Sequence, residues 1–200
     1  MSEKTYQIQS VVKTGNRVEA QIHTGEAAHT IFFECDDPAL VPGREAMVAL
    51  SLFPAMREDA ELQVDGELSR RILGKLPELQ ELIHSWNPDY FKTIEVTGAI
   101  PVEKKKSAAA RVGSFFSGGV DGWYTLLKHR DEITDLILVW GFDISLDKST
   151  LFEQARHNAQ RVAEEMGKNL VVVKTNLREV TDPLVHWKWM HGSGMAAVAN

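Results

Sequence analysis

The chain has 200 residues, of which 44% are hydrophobic and 25% are charged, and its formal net charge is −6 at pH 7. These values are typical of a globular protein with one or two domains, and the negative charge argues against a nucleic-acid-binding surface, which requires a basic face. The single Cys35 excludes an intramolecular disulfide and a cysteine-based zinc site.

The N-terminus carries no apolar signal segment, and no stretch of the sequence approaches the length of about 18 apolar residues that a membrane-spanning helix needs. The lone cysteine also fits a reducing compartment. We therefore expect a cytoplasmic protein without a membrane partner.

The first hundred residues predict a small α+β domain of unknown role, residues 1–100. Apolar residues at helical spacing predict helices at 45–56 and 69–86, with Ser69 as the N-cap of the second helix. Alternation of apolar and polar residues predicts an antiparallel meander followed by two more strands, at residues 6–12, 17–23, 29–34, 62–64 and 90–96.

Residues 101–111 predict an exposed linker, since they are polar or small and have no periodic apolar pattern. The order after the linker is strand, helix, strand, helix, strand. Strands are predicted at 112–116, 135–140 and 170–174, with helices between them that end near residues 130 and 166. Thr150 and Glu153 suggest a capping box, and Gly167 a helix stop. This half predicts an α/β fold with a doubly wound parallel sheet in the order 3-2-1 and a ligand at the carboxyl ends of the strands.

A glycine-rich loop joins the first strand of this half to its first helix. Glycine lets the backbone approach a ligand closely, and the first turn of a helix offers free N–H groups and a positive dipole end, so the expected ligand is a phosphate. A carboxylate in the loop can also hold Mg²⁺ against that phosphate, which makes Asp121 the candidate metal ligand. The predicted binding residues of the loop are Ser117, Gly118, Gly119, Val120, Asp121 and Gly122.

Two common phosphate-loop patterns fit the loop poorly. A Walker-type loop requires a lysine followed by serine or threonine at the helix start, and neither is present. A dinucleotide fingerprint requires glycine at the positions of Ser117, Gly119 and Gly122, so its first glycine is missing. Asp143, however, lies about 20 residues further on, where a ribose-binding acid belongs.

The loop resembles the SGGxDS pyrophosphate loop of the ATP pyrophosphatase (PP-loop) superfamily, the adenine-nucleotide alpha-hydrolase-like proteins, which include GMP synthetase and asparagine synthetase. Ser117, Gly118, Gly119 and Asp121 match that motif, whereas Gly122 replaces the usual serine or threonine. The resemblance covers roughly residues 112–200 and implies a Rossmann-like fold of the HUP type, with ATP and Mg²⁺ as ligands.

The same resemblance implies further site residues at the carboxyl ends of the later strands. Backbone near Gly141 would border adenine, and Asp143 would face the ribose or the metal. Arg178, after the third strand, either contacts an α-phosphate or lies in solvent. A second glycine-containing helix start is predicted from the residues Gly192, Ser193 and Gly194.

An apolar helical pattern continues to Asn200 with only three parallel strands complete. We therefore expect residues 112–200 to be a truncated PP-loop domain that forms a homo-oligomer or is completed by a missing C-terminal half. The implied activity is adenylation of a substrate oxygen with release of pyrophosphate, on an unidentified small-molecule or macromolecular substrate. A non-catalytic nucleotide-binding or regulatory module and a dinucleotide-dependent oxidoreductase stay open as alternatives.

Overall fold

A computed structural model describes residues 4–24, 27–37, 43–103 and 111–199 of the chain. Within these ranges the protein has an α/β fold in which helices pack on a mixed β-sheet of eight strands. The predicted linker is only partly covered, because residues 104–110 lie outside the described residues.

The N-terminal half contributes five strands and two long helices. Their bounds are β1 Thr5–Thr14, β2 Arg17–Thr24, β3 Ala27–Cys35, α1 Arg44–Glu58, β4 Glu61–Ser69, α2 Arg70–Trp86 and β5 Val96–Val102. The predicted meander is confirmed, since β1, β2 and β3 pair antiparallel in sequence order. The predicted cap of α2 is also confirmed, because the Ser69 side chain accepts a hydrogen bond from the Ile72 N–H.

The C-terminal half alternates strands and helices. Its elements are β6 Gly113–Phe115, α3 Val120–Lys128, β7 Asp135–Trp140, α4 Ser149–Met166, β8 Asn169–Thr175, α5 Leu177–Thr181 and α6 Trp187–Ala199. Strands β6, β7 and β8 are parallel neighbours in the predicted order, third-second-first along the sheet. Their carboxyl ends therefore lie along one edge of the sheet, where open α/β sheets bind ligands.

The full strand order is β5-β4-β1-β2-β3-β8-β7-β6, so strands from both halves form one sheet. The junction is the antiparallel pair β3 and β8, in which Phe33 lies opposite Thr175 and Cys35 opposite Val173. One apolar cluster also spans both halves, because it includes α1 residues such as Leu50 together with Met190 of α6. A second cluster lies between the sheet and helices α3 and α4, around Leu126, Leu136 and Phe152.

Three local predictions were wrong. Residues 90–95 are not a strand, because Phe91 is fully buried and packs edge-on against Phe53 and Trp189, and the strand begins only at Val96. Residues 101 and 102 belong to β5 rather than to a linker, since they pair with β4. The capping box fails because α4 begins at Ser149 and has no side-chain cap.

Candidate functional site

The loop after β6 exposes a row of backbone donors. Gly118 has φ +82°, a conformation that favours glycine, and Gly119 is extended as the N-cap of α3 without any side-chain hydrogen bond to the helix. The N–H groups of the first turn have no partner within a helix, and residues 117–121 are exposed to solvent. The loop therefore offers free N–H donors and a positive dipole end at the carboxyl end of β6, which favours an anion.

Gly122 has helical backbone geometry, since it lies within α3 and is not among the residues with positive φ. A Cβ at this position would lie 3.4 Å from a ring carbon of Phe116 and 3.6 Å from the Phe115 carbonyl oxygen, which is ordinary van der Waals contact. A serine would therefore fit at position 122 without strain. The backbone does not require glycine there. The glycine therefore differs from the serine of the motif in lacking a hydroxyl and not in backbone conformation.

Asp121 is the acidic residue of the first turn of α3. Its side chain is exposed and makes no hydrogen bond or ion pair with the residues that the structure describes. Among those same residues there is no cluster of three or more histidine, cysteine, aspartate or glutamate side chains that could hold a metal. A magnesium ion at Asp121 would have to take its other ligands from water and phosphate oxygens, which is how Mg²⁺ is commonly bound beside nucleotides.

A tight turn follows β7. Gly141 has φ +108°, and a Cβ there would lie 1.9 Å from the carbonyl oxygen of Thr175, so the strand ends of β7 and β8 meet too closely for any side chain. The Gly141 N–H donates to the Ile144 carbonyl at 3.0 Å. This turn leaves Asp143 exposed at the same edge of the sheet as the loop after β6.

Arg178 takes a different role from both roles that the sequence left open. Its Nε and Nη2 donate to the Asp182 carboxylate at 3.0 and 2.7 Å, and its Nη1 donates to the Phe142 carbonyl at 2.8 Å. The guanidinium carbon also stands 4.8 Å from the ring centre of Trp187. Arg178 thus connects the turn after β7 to α5 and α6, and these three nitrogens are engaged within the protein.

The predicted helix start at Gly192, Ser193 and Gly194 was wrong, because these residues lie inside α6. The helix begins at Trp187, where the His186 Nδ1 accepts a hydrogen bond from the Lys188 N–H. The buried Ser193 hydroxyl donates to the Ala49 carbonyl of α1. Ser193 and Gly194 are buried within the fold, so this segment is part of a packed helix and does not form a second helix start.

Two cavities adjoin the carboxyl ends of the parallel strands. One of 320 Å³ lies between the loop after β6 and helix α4, lined by Ser117, Gly118, Trp123 and Asn158 among others. The other, of 460 Å³, adjoins the turn after β7. Sequence reasoning missed Trp123 and Asn158, although the position of Trp123 one turn after the glycines was a usable signal.

A larger open depression of 680 Å³ lies away from this edge. It is bordered by Asp37, Arg111 and Asn169, near the amino ends of the parallel strands. Arg111 there bonds both Asp135 and Asp37, so its charge is compensated within the protein. We therefore place the candidate site at the carboxyl edge.

Comparison with protein-family models, with curated proteins and with solved structures found no match. No helix within the described ranges is both long and apolar enough to cross a membrane.

Proposed function

We propose that this protein binds Mg·ATP with the phosphates at the loop of residues 117–122. The observation that carries the proposal is the loop itself: Gly118 in a left-handed conformation, followed by an uncapped and exposed helix start at the end of a parallel strand. Oriented backbone N–H groups of this kind stabilise an anion at fixed positions and need no reorganisation when the anion binds.

We further propose that the bound ATP adenylates a substrate. In this reaction a substrate oxygen attacks the α-phosphorus, the bond to the bridging oxygen of the β-phosphate breaks, and pyrophosphate leaves. The N–H groups of Gly119, Val120 and Gly122, with the Ser117 hydroxyl, would bind the departing pyrophosphate, a purely electrostatic contribution. Asp121 would hold Mg²⁺, which neutralises phosphate charge when bound.

One observation favours a second function, nucleotide binding without turnover. Gly122 supplies a backbone N–H but no hydroxyl, and a hydrogen bond to a charged phosphate is worth about 1.5–3 kcal/mol. If that bond normally strengthens in the transition state, its loss lowers the rate more than the affinity. An assay of pyrophosphate release therefore distinguishes an adenylating enzyme from a binding or regulatory module.

Isothermal titration calorimetry and thermal unfolding, each with Mg·ATP, test the proposal. Mg·ATP at a hundredfold excess over its Kd should stabilise the protein by about 2.7 kcal/mol, and Asp121→Asn should weaken the magnesium-dependent part of the binding. Asp131→Asn removes the same charge from an exposed position in the turn that follows α3, and should leave the affinity unchanged.

Titrations with NAD and assays for pyrophosphate separate the remaining functions. Stabilisation by NAD but not by Mg·ATP would overturn the proposal and favour the dinucleotide alternative. Mg·ATP binding without pyrophosphate release for any candidate substrate would favour the binding module. Equal loss of affinity in the Asp121 and Asp131 variants would remove Asp121 from the site.

A further inference from the structure

The 460 Å³ cavity lies beside the carboxyl ends of β7 and β8 and is open to solvent. Its wall combines apolar surface with charged side chains. Phe142, Leu146 and Pro183 supply the apolar part, and the floor is the close contact between Gly141 and the fully buried Thr175. Its volume lies within the range of about 300–1,000 Å³ that is usual for small-molecule sites.

The charges of this wall do not cancel. Asp143, Glu179 and Asp182 contribute three carboxylates, and Arg178 contributes one cation. Arg178 neutralises Asp182 through its two hydrogen bonds to that carboxylate. Asp143 and Glu179 form no side-chain hydrogen bond or ion pair with the described residues, so the cavity presents two uncompensated negative charges.

The arginine cannot turn toward an anion without breaking contacts that it already makes. Its Nη1 is engaged with the Phe142 carbonyl, and its plane lies over the Trp187 ring. Trp187 is itself held against Phe142, with ring centres 5.1 Å apart. Arg178 is therefore held by its own contacts, and the same wall also contains apolar surface and the acidic residues Asp143 and Glu179.

From these observations we propose that the cavity binds a small organic cation, an ammonium or guanidinium group on a short apolar stem. The stem would pack on Phe142, Leu146 and Pro183, while the cation would lie between Asp143 and Glu179. This site is separate from the loop of residues 117–122, and the inference does not rest on the proposed function, because its test contains no nucleotide.

The probes are n-butylammonium and n-butylguanidinium, with n-butanol and butyrate as neutral and anionic counterparts of the same stem. Binding is followed by chemical-shift changes of the backbone amides of Gly141 and Glu179 during titration of the full chain. We expect the two cations to bind, their affinity to fall with added salt, and butyrate not to bind.

Asp143→Asn and Glu179→Gln should each weaken cation binding by about fivefold, which is the effect of removing one charge near a surface-bound partner. Both side chains are exposed and unpartnered within the described structure, so the variants should keep the wild-type unfolding midpoint. Asp131→Asn is the matched control and should bind like the wild type.

Equal binding of n-butanol and the cations would overturn the proposal, since the cavity would then select only apolar surface. Absence of any shift with the cations would overturn it as well. If Asp131→Asn weakened cation binding equally, the overall negative charge of the protein would explain the effect. That result would also contradict a defined site.

Discussion

Gly122 is the residue at which the loop of this chain differs from the SGGxDS motif, and its helical backbone geometry makes the difference testable. Gly122→Ser should tighten Mg·ATP binding about five- to thirtyfold, because a serine hydroxyl adds one hydrogen bond to a phosphate at about 1–2 kcal/mol. The unfolding free energy should stay equal or rise slightly, since serine is the better helix former.

Titration calorimetry and thermal unfolding of this one variant give both readouts. Unchanged affinity in a normally folded protein would mean that no phosphate lies at this turn of α3, and the proposed function would then lose its central support.

Gly141 and Gly118 both have positive φ, but only Gly141 faces an obstacle. Gly141→Ala would place its Cβ 1.9 Å from the Thr175 carbonyl oxygen, whereas nothing lies within 4 Å of a Cβ at Gly118. Gly118→Ala should therefore cost about 1 kcal/mol of unfolding free energy from the backbone alone, and Gly141→Ala about 3 kcal/mol or more. Urea denaturation of the pair measures the difference, and equal losses would contradict the close contact between β7 and β8.

Helix α6 was expected to begin near Gly194, and its true start at Trp187 places two glycines in its interior. Gly192 is exposed with open space around its Cβ position, so Gly192→Ala should raise the unfolding free energy by about 0.5–1 kcal/mol. Gly194→Ala should gain less or lose, because its Cβ would lie 3.0 Å from the Trp187 ring. Thermal unfolding of both variants distinguishes a helix interior from the turn that the sequence predicted.

The start of β7 is held by a buried carboxylate. Asp135 accepts hydrogen bonds from Arg111 at 2.5 and 3.0 Å, from Thr134 at 2.5 Å and from Asn169 of β8 at 3.0 Å. The Arg111 hydrogen bonds are the main cause that lowers the pKa of Asp135 to about 2, with Thr134 and Asn169 adding to it. The carboxylate therefore connects Arg111, which lies two residues before β6, to the first residues of β7 and β8.

A lowered pKa in the folded state gives a definite dependence of stability on pH. The contribution of Asp135, about 2 kcal/mol, should be fully present above the unfolded pKa near 4 and be lost as the pH falls toward 2. Asp135→Asn should be less stable at neutral pH and lose less stability over that interval. Denaturation at pH 6, 4 and 3 measures this, with Asp131→Asn as the control, and parallel curves for wild type and Asp135→Asn would contradict the assignment.

At the scale of the whole molecule, one sheet joins the two halves that the sequence assigns to separate domains. Besides the β3–β8 pairing, the Asn176 side chain accepts from the Phe32 N–H at 2.9 Å and donates to the Thr30 carbonyl at 3.0 Å. Since one apolar cluster also spans both halves, we expect a single cooperative unfolding transition.

Asn176→Ala should lower the unfolding free energy by about 1–3 kcal/mol and shift the midpoint of both halves together, because it leaves a strand N–H without its partner. Urea denaturation with hydrogen exchange of β1 and of β7 as separate probes measures this, and Asn158→Ala on the exposed face of α4 is the control. Two transitions, with only one half affected, would support independent domains at 1–100 and 112–200.

Local signals were enough to find most elements and the loop of the candidate site. The prediction at 135–140 matches β7 residue for residue, since residues 136–140 form the continuous apolar run that is typical of a strand buried on both faces. Glycine spacing located the turn before α3, and Ser69 located the start of α2, because caps and positive φ depend on neighbouring residues only. The contacts of Arg178 could not be predicted from local sequence, since its partner Phe142 lies 36 residues away.

The sequence by itself determined most of the strands and helices and the glycine loop at the end of the first parallel strand. Those features follow from side-chain periodicity and backbone preference within a few residues. Only the tertiary structure decided that β3 pairs with β8 and that Gly192, Ser193 and Gly194 lie inside α6. It alone brought Asp143 and Glu179 to one cavity. Contacts of this kind depend on how distant surfaces fit together, and no local pattern encodes them.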